Sequence, residues 1–415
     1  MKIAILHDSF PPHSSGGADI VAFNLAQALQ KQGHEILVIT TTRKSGEAGI
    51  STYEGLLMHT IATSYDLRFQ AYVSLWNISV ARKVKKILRE FRPDVVHAHN
   101  VHGYLSYRSL TIAKKLGSRV ILTCHDVMSF NYTKLTDFID PNNFSVPENF
   151  HYRISPWHQF RINRFRYNPL RNMIIRYVLR NYVDQIIAVS DALKQALEDN
   201  GIGNVEVIHN GIDTEEWRVS SEALAVFKKK HGLGDSVVVF GGRLTGIKGG
   251  HKLLEALSKV VHTIPDTQLL IIGKEGTYTE KMRKESARFG LDGKVFFTGW
   301  IVGQELHTAY HASAIVVVPS LCFDSFPTMN LEGMACKKPI IATCFGGSRE
   351  LVINNKTGYI INPYNVAILG DKITGLLENK IKNTEFGAAG YERVLQAFSL
   401  KAQVEGYEKI FKKYT

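Results

Sequence analysis

Cysteine is scarce in this sequence: four among 415 residues, at positions 124, 322, 336 and 344. None stands at C-x-x-C spacing and each sits in an apolar stretch. That excludes a disulfide framework and fits a reduced, cytosolic chain. Long apolar runs are missing as well, so no membrane-spanning helix is predicted. The opening MKIAILHDSF is too short in its apolar run for a secretory signal and has no small-residue cleavage site. No repeat at solenoid spacing and no low-complexity segment occurs. No G-x-G-x-x-G follows the first strand, so the dinucleotide fingerprint is not met.

What is present points to large α/β cores and an anionic partner. The length makes two or three domains the expectation, and 45% hydrophobic content is enough to fill them. The formal charge is +12, from 50 Lys and Arg against 38 Asp and Glu, which suits nucleotides, phospholipid headgroups or nucleic acid.

The first half alternates strands with helices. Ile3–His7 reads as a buried strand, Asp8–Ser15 as a loop, and Gly16-Gly17 opens a helix over 18–32 that stops at Gly33. Strand, glycine turn and helix form the start of a nucleotide-binding βαβ unit, with the glycines where an anion rests. Strands over 36–40 and 57–61, a helix over 72–91, a strand over 94–98, a helix from near Tyr104 and a strand over 120–124 follow. Strands over 185–189 and 205–209 end this half. Such alternation implies a mainly parallel sheet covered on both faces, with ligands beyond the carboxyl ends of its strands. His97, His99, His102 and His125-Asp126 fall there. His97 and His99 share a strand face, but no matching set of carboxylates or thiolates accompanies them. Local hydrogen bonding is therefore expected rather than a metal.

The pattern restarts near Gly211–Thr214. A strand over 236–240 leads into GGRLTGIKGG and a helix over 251–263, which puts Arg243 and Lys248 in a glycine-rich turn at a helix start. Arg grips a diphosphate bidentately and Lys adds a point charge. Strands over 269–272, 295–298 and 315–318 end on the same rim. The stretch from Ser320 to Glu350 then reads as loop, helix, short buried strand and glycine turn. Pro327 suits the first helical position, and Gly346-Gly347 brings backbone close to a ligand. Asp324 in the loop and Glu332 in the helix face one pocket whose floor is the helix start, where free N–H groups favour phosphate. That fits a nucleoside diphosphate joined to a polyhydroxyl group. A capped surface helix with a solvated Glu is the plain alternative for the fragment alone. A last helix from Leu400, capped by Ser399, carries Val404, Tyr407, Phe411 and Tyr414 on one face that must be buried, against the first domain.

Residues 151–180 change character, with seven arginines, no acidic residue, and six interleaved aromatics. This suits an anionic membrane interface or a phosphorylated lipid acceptor, and less well single-stranded nucleic acid. The alternative is a helix that packs its aromatics inward and leaves its arginines solvated.

Taken together, these residues resemble the family-4 retaining glycosyltransferases of the GT-B fold. The resemblance covers nearly the whole chain. It rests on Gly16-Gly17, PDVVHAH (93–99), AVSDALKQAL (188–197), IHNGID (208–213), GGRLTGIKG (241–249), DSFPTMNLEGMACKKPIIAT (324–343) with GGSRELV (346–352), and the C-terminal FSL helix. It implies two Rossmann-like, doubly wound parallel-sheet domains facing a cleft. These would be residues 1–211 with the returning helix 399–415, and 212–398, with closure over the cleft excluding water.

In such a protein Arg243 and Lys248 would hold the donor diphosphate, with amides from Thr328 and Met329. Glu332 would bind ribose hydroxyls, and Trp300 and Ile301 would hold the base. Gly16 and Gly17 would close over the diphosphate. Asp324 would contact the transferred sugar and His125 would lie at the reacting face near the acceptor. One departure stands out: the first acid of the family's acidic pair is usually Glu, and here it is Asp324.

The implied chemistry is glycosyl transfer from a nucleotide sugar with the anomeric configuration retained. It is usually drawn as front-face attack, with Asp324 as a covalent nucleophile the alternative. No D-x-D motif appears, so neither a metal nor a cofactor beyond the nucleotide sugar is expected. The expected acceptor is lipid-linked or a cell-surface glycan, met at the cytoplasmic face of the membrane, with no nucleic acid involved. A nucleotide-sugar epimerase or hydrolase, or a binding subunit impaired by Asp324, are the competing functions. Base, sugar, acceptor and linkage stay open.

Overall fold

The structure is a computed structural model that describes residues 1–14 and 16–414. The chain divides into two compact units. The first contains an eight-stranded sheet of β1 (Lys2–Leu6), β2 (Glu35–Thr42), β3 (Gly49–Tyr53), β4 (Leu56–Ala62), β5 (Val95–Ala98), β6 (Arg119–Cys124), β7 (Gln185–Ala188) and β8 (Val205–Val207). Their spatial order is β3-β4-β2-β1-β5-β6-β7-β8. Seven strands are parallel. β1 lies between β2 and β5, with Ile5 opposite Val38 on one side and His97 on the other. These strands are near-continuous Val, Ile and Leu because both faces are covered by helices.

One strand was not expected from the sequence, and two sequence expectations are corrected. β3 pairs antiparallel with β4 through a turn in which Glu54 and Gly55 are both left-handed. Its sequence GISTY is almost wholly exposed, so it carried no apolar signal. The helix expected over 72–91 is broken: a short turn of helix ends at Val73 and a new helix runs Ile78–Phe91. Asn77 caps that second helix, accepting from the Val80 amide at 3.4 Å, and caps favour such a break. The helix expected from Tyr104 starts at Arg108. The amides of Gly103, Tyr104 and Leu105 instead donate to the Asp8 carboxylate at 2.5, 2.8 and 2.7 Å.

The C-terminal helix Leu400–Tyr414 belongs to this first unit. Val404, Tyr407, Ile410 and Phe411 join a core with Ile3, Leu25 and Leu29, and the Tyr407 hydroxyl lies 2.9 Å from that of Thr123 on β6. Its apolar stripe recurs at three- and four-residue steps, which puts one face of a helix into the core.

The second unit holds six parallel strands: β9 (Val237–Gly241), β10 (Gln268–Ile272), β11 (Val295–Gly299), β12 (Ile315–Val318), β13 (Ile340–Thr343) and β14 (Gly358–Ile361). Their order is β11-β10-β9-β12-β13-β14. The direction of winding reverses between β9 and β12, and the carboxyl ends on either side of such a switch form the ligand crevice of doubly wound sheets. Residues 138–150, placed by sequence within 1–211, belong instead to this second unit. Asn362 donates to the carbonyls of Asn143 and Ser145, both at 2.7 Å. Phe138 and Phe150 each meet Phe345 edge-on, with centroids 5.9 Å apart. Among the described residues no helix is long and apolar enough to cross a membrane.

Candidate active site

In the second unit the site starts with backbone. β9 ends at Gly241, and the chain turns through 242–249 before the helix Gly250–Thr263. Gly249 has φ +79°, and a Cβ there would sit 1.9 Å from the Pro319 carbonyl oxygen, just past β12. The Leu321 amide donates to the Ile247 carbonyl at 2.7 Å. The two loops at the switch point are therefore pressed together, and glycine is the residue that permits it.

This contact sets Lys248 on Asp324. The ammonium donates to Asp324 Oδ2 at 2.5 Å, and the Ser320 hydroxyl donates to the same oxygen at 2.7 Å. Lys248 and Asp324 side chains are 24% and 15% exposed. Burial pulls the Lys248 pKa down, but the charge and hydrogen bond of Asp324 more than reverse it, so the net shift is upward. Lys248 stays an ammonium. Arg243 is exposed in the same turn, near enough that its charge counts against that of Lys248.

Asp324 is fixed through its backbone as well. Its amide donates to Phe345 O at 3.1 Å, and the Gly347 amide donates to its carbonyl at 2.9 Å. Gly346 has φ +101°, and a Cβ there would lie 2.3 Å from the Asp324 carbonyl oxygen. The close approach expected of Gly346-Gly347 is thus made to the Asp324 backbone.

Pro327 sits one residue earlier than the sequence placed it. It is the N-cap, with ψ 115°, and the helix runs Thr328–Ala335. Thr328 and Met329 are its first two positions, whose N–H groups have no partner within the helix. Glu332, half-buried on the next turn, accepts a hydrogen bond from the Tyr310 hydroxyl. Burial raises its pKa, partly offset by the Tyr310 and Thr328 hydroxyls. Trp300 and Ile301 follow the end of β11 on the same sheet edge, with Lys274 Nζ 5.7 Å from the Trp300 ring centroid. Of the sequence candidates, Arg243, Lys248, Trp300, Ile301, Asp324, Thr328, Met329 and Glu332 all lie at the carboxyl edge of this one sheet. Tyr310 and Ser320 were missed, being an interior helix tyrosine and a loop serine with no local motif.

The first unit holds His125, Gly16 and Gly17. His125 follows β6, and its Nε2 lies 2.9 Å from His99 Nδ1. His7 stacks on His99 with centroids 5.8 Å apart, and His97 and His99 centroids are 4.2 Å apart. His97 Nε2 meets the Thr123 hydroxyl at 2.8 Å. Burial, with the neighbouring histidines, pushes the pKa of His97 and of His125 down to about 3, so both are neutral at physiological pH. Among the described residues His7 Nε2, His97 Nδ1 and His99 Nε2 are buried without a hydrogen-bond partner.

The Gly16 amide donates to its own helix's Asp19 at 3.0 Å, and Asp19 also accepts from Ser9 at 3.1 Å and from Ser14. The Gly16 amide is thus taken by the chain's own carboxylate. In the basic segment Arg171 is fully buried, contacting Asn172 at 3.0 Å and the Met128 carbonyl. It is therefore removed from the set of solvent-facing arginines.

Two family models match the chain: "Glycosyltransferase Family 4" over residues 15–216 and "Glycosyl transferases group 1" over 223–393. The chain is 23% identical to glycogen synthase of Mycobacterium tuberculosis, over 96% of this chain and 91% of that one. It is 31% identical to the GDP-mannose-dependent alpha-(1-6)-phosphatidylinositol monomannoside mannosyltransferase of Mycolicibacterium smegmatis, over 45% of this chain and 50% of that one. Its fold is similar to HepE of Anabaena in complex with UDP-glucose, at TM-score 0.74 and 19% identity over all of both chains. It is also similar to sucrose-phosphate synthase of Thermosynechococcus elongatus, at TM-score 0.78 and 20% identity over 99% of this chain and 98% of that one.

Proposed function

Because the chain belongs to the family-4, group-1 glycosyltransferases of the GT-B fold, we propose that it transfers a sugar from a nucleoside-diphosphate donor to a hydroxyl, with the anomeric configuration retained. The observation that carries this reading is the Lys248–Asp324 contact beside Arg243 and the Thr328 helix start. It supports the reading because the Lys248 ammonium meets the Asp324 carboxylate, Arg243 belongs to the same turn as Lys248, and the Thr328 helix start follows Asp324 by four residues.

In this reading Arg243, Lys248 and the amides of Thr328 and Met329 take the diphosphate. As the bond from the anomeric carbon to phosphate breaks, charge builds on the leaving oxygen, where preorganised donors stabilise it most. The acceptor oxygen forms the new bond on the same face, and its proton passes to the departing phosphate. The two basic side chains supply the charge a metal would otherwise bring, so the reaction is metal-independent. Glu332 accepts from the ribose hydroxyls through a carboxylate already oriented by Tyr310. Trp300 and Ile301 border the base, and Asp324 contacts the transferred sugar. His125 faces the acceptor as a neutral imidazole, and Gly17 offers an anion its amide, that of Gly16 being taken by Asp19.

The acceptor is lipid-linked or a cell-surface glycan. The relative named for a phosphatidylinositol monomannoside supports that choice, as does the basic aromatic segment. A thermal-shift panel of UDP-, GDP- and ADP-sugars, repeated with Arg243→Ala, tests the donor site. One donor is expected to stabilise the protein and to lose that effect in the variant. No shift with any donor overturns the reading. Product formed without an acceptor would favour an epimerase or hydrolase, and the anomeric signal of the product reports retention.

A further inference from the structure

The helix Pro156–Asn163 in the first unit is inside out. Gln159 is its buried residue, and it holds the helix to the body of the unit by hydrogen bonds. Its amide donates to the Phe130 carbonyl at 3.0 Å and its oxygen accepts from the Tyr132 amide at 3.2 Å. The apolar side chains face outward instead: Trp157 is 79% exposed and Ile162 60%, with Phe165 in the next turn at 89%. A surface helix in water normally shows the opposite pattern, and a contiguous apolar patch of this kind marks a partner. Arg161, Arg164 and Arg166 are exposed among these residues.

A second outward apolar stretch adjoins the first. Tyr72 donates to the Phe165 carbonyl at 3.5 Å, and near it Trp76 is 59% exposed. The 63–77 connection leaves the carboxyl end of β4, and the 125–170 connection leaves that of β6. Both therefore stand on the sheet edge that carries His125.

We propose that this face, the outward aromatic helix Pro156–Asn163 with the Arg164–Arg166 turn and the adjoining stretch around Trp76, docks on an anionic lipid bilayer. It deepens the lipid-acceptor reading above by assigning the surface that brings the protein to its acceptor. Indole and phenyl rings enter the headgroup boundary, and arginine stems lie along them with their guanidinium groups at the phosphates. The exposed arginines outnumber the acids beside them, Asp137 against His158 and Asp66 near Arg166, so the face is net positive, as an anionic leaflet requires. Trp157 and Phe160 meet edge to face at 88°, which offers a wedge rather than the parallel platforms on which bases stack. Ile162 adds bulk to a wedge and nothing to a stack.

Flotation of the full chain with vesicles of phosphatidylcholine alone, or mixed with phosphatidylglycerol, tests this. Binding is expected only with the anionic lipid, and to fall with salt. Arg161→Gln/Arg164→Gln/Arg166→Gln is expected to weaken it about a hundredfold, and Trp157→Ser/Phe165→Ser at least tenfold. These residues are exposed, so an unchanged melting temperature verifies the fold. Binding that is absent, indifferent to phosphatidylglycerol, or untouched by either variant overturns the proposal. So does a dimer that the aromatic variant dissolves, or single-stranded RNA held in preference to the vesicles. Donor-induced thermal shift, measured on the same variants, stays intact if docking alone is lost. Its absence from the unaltered chain would instead count against the transferase reading.

Discussion

Lys248 and Asp324, 76 positions apart in sequence, share a hydrogen bond of 2.5 Å at the point where the second sheet reverses its winding. Each is the other's counter-charge, so the cation proposed for the diphosphate and the acid proposed for the sugar form one unit. Lys248→Met is expected to lower kcat/KM by roughly a hundredfold or more, the usual effect of removing a charged donor from a developing oxyanion. It is also expected to leave Asp324 without its counter-charge. Steady-state kinetics with the donor identified by thermal shift checks this. A variant within threefold of the parent would separate Lys248 from the reaction.

Tyr310 acts on the donor through Glu332. Its hydroxyl occupies one carboxylate oxygen and leaves the group oriented. Tyr310→Phe removes a hydrogen bond to a charged group, about 1.5–3 kcal/mol, so donor KM is expected to rise tenfold or more with kcat little changed. The sign of the pH effect follows. Losing a donor to the carboxylate raises its pKa further, above a value burial has already lifted. Only the ionised form accepts from two hydroxyls, so the acid limb of donor binding is expected to move to higher pH. A pH titration of donor affinity reads this directly.

Gly249 and Gly293 separate backbone conformation from close approach. Both are left-handed, but a Cβ on Gly293 meets nothing within 4 Å, whereas one on Gly249 strikes the Pro319 carbonyl. Gly293→Ala is expected to cost about 1 kcal/mol, and Gly249→Ala about 2–4 kcal/mol, because the two loops must part. Urea unfolding compares them, and donor binding should fail in Gly249→Ala alone.

His97 makes the first unit acid-sensitive. Its pKa is pushed down to about 3 in the fold, against about 6.5 in an unfolded chain. Between those values the unfolded chain takes up the proton and the folded one refuses it. Stability therefore falls as pH drops below 6.5, by about 1.4 kcal/mol per pH unit for this one group, or about 2 kcal/mol at pH 5. Urea midpoints measured from pH 7 to 5 should fall less steeply in His97→Gln.

Much of this was legible in the sequence. The Val- and Ile-rich runs of β1, β9 and β12 announce buried parallel strands, because a strand covered on both faces has no polar side to show. The glycine turn with Arg243 and Lys248, and the loop and helix with Asp324 and Glu332, are local patterns, readable wherever they occur. GISTY was not readable as β3, since an exposed edge strand carries no apolar signal. The start of the helix at Arg108 was hidden because a carboxylate nearly a hundred residues earlier, that of Asp8, takes the amides of residues 103–105.

By itself, then, the sequence determined the buried strands and most of the helices between them, and which loops carry charge and glycine. Those properties depend on neighbours within a few residues. Only the tertiary structure decided that Lys248 answers Asp324, that Arg171 is buried while Arg161 faces water, and that Gln159 rather than Trp157 turns inward. Polar pairing and burial are settled by what lies across a gap in space, and no periodicity along the chain encodes that distance.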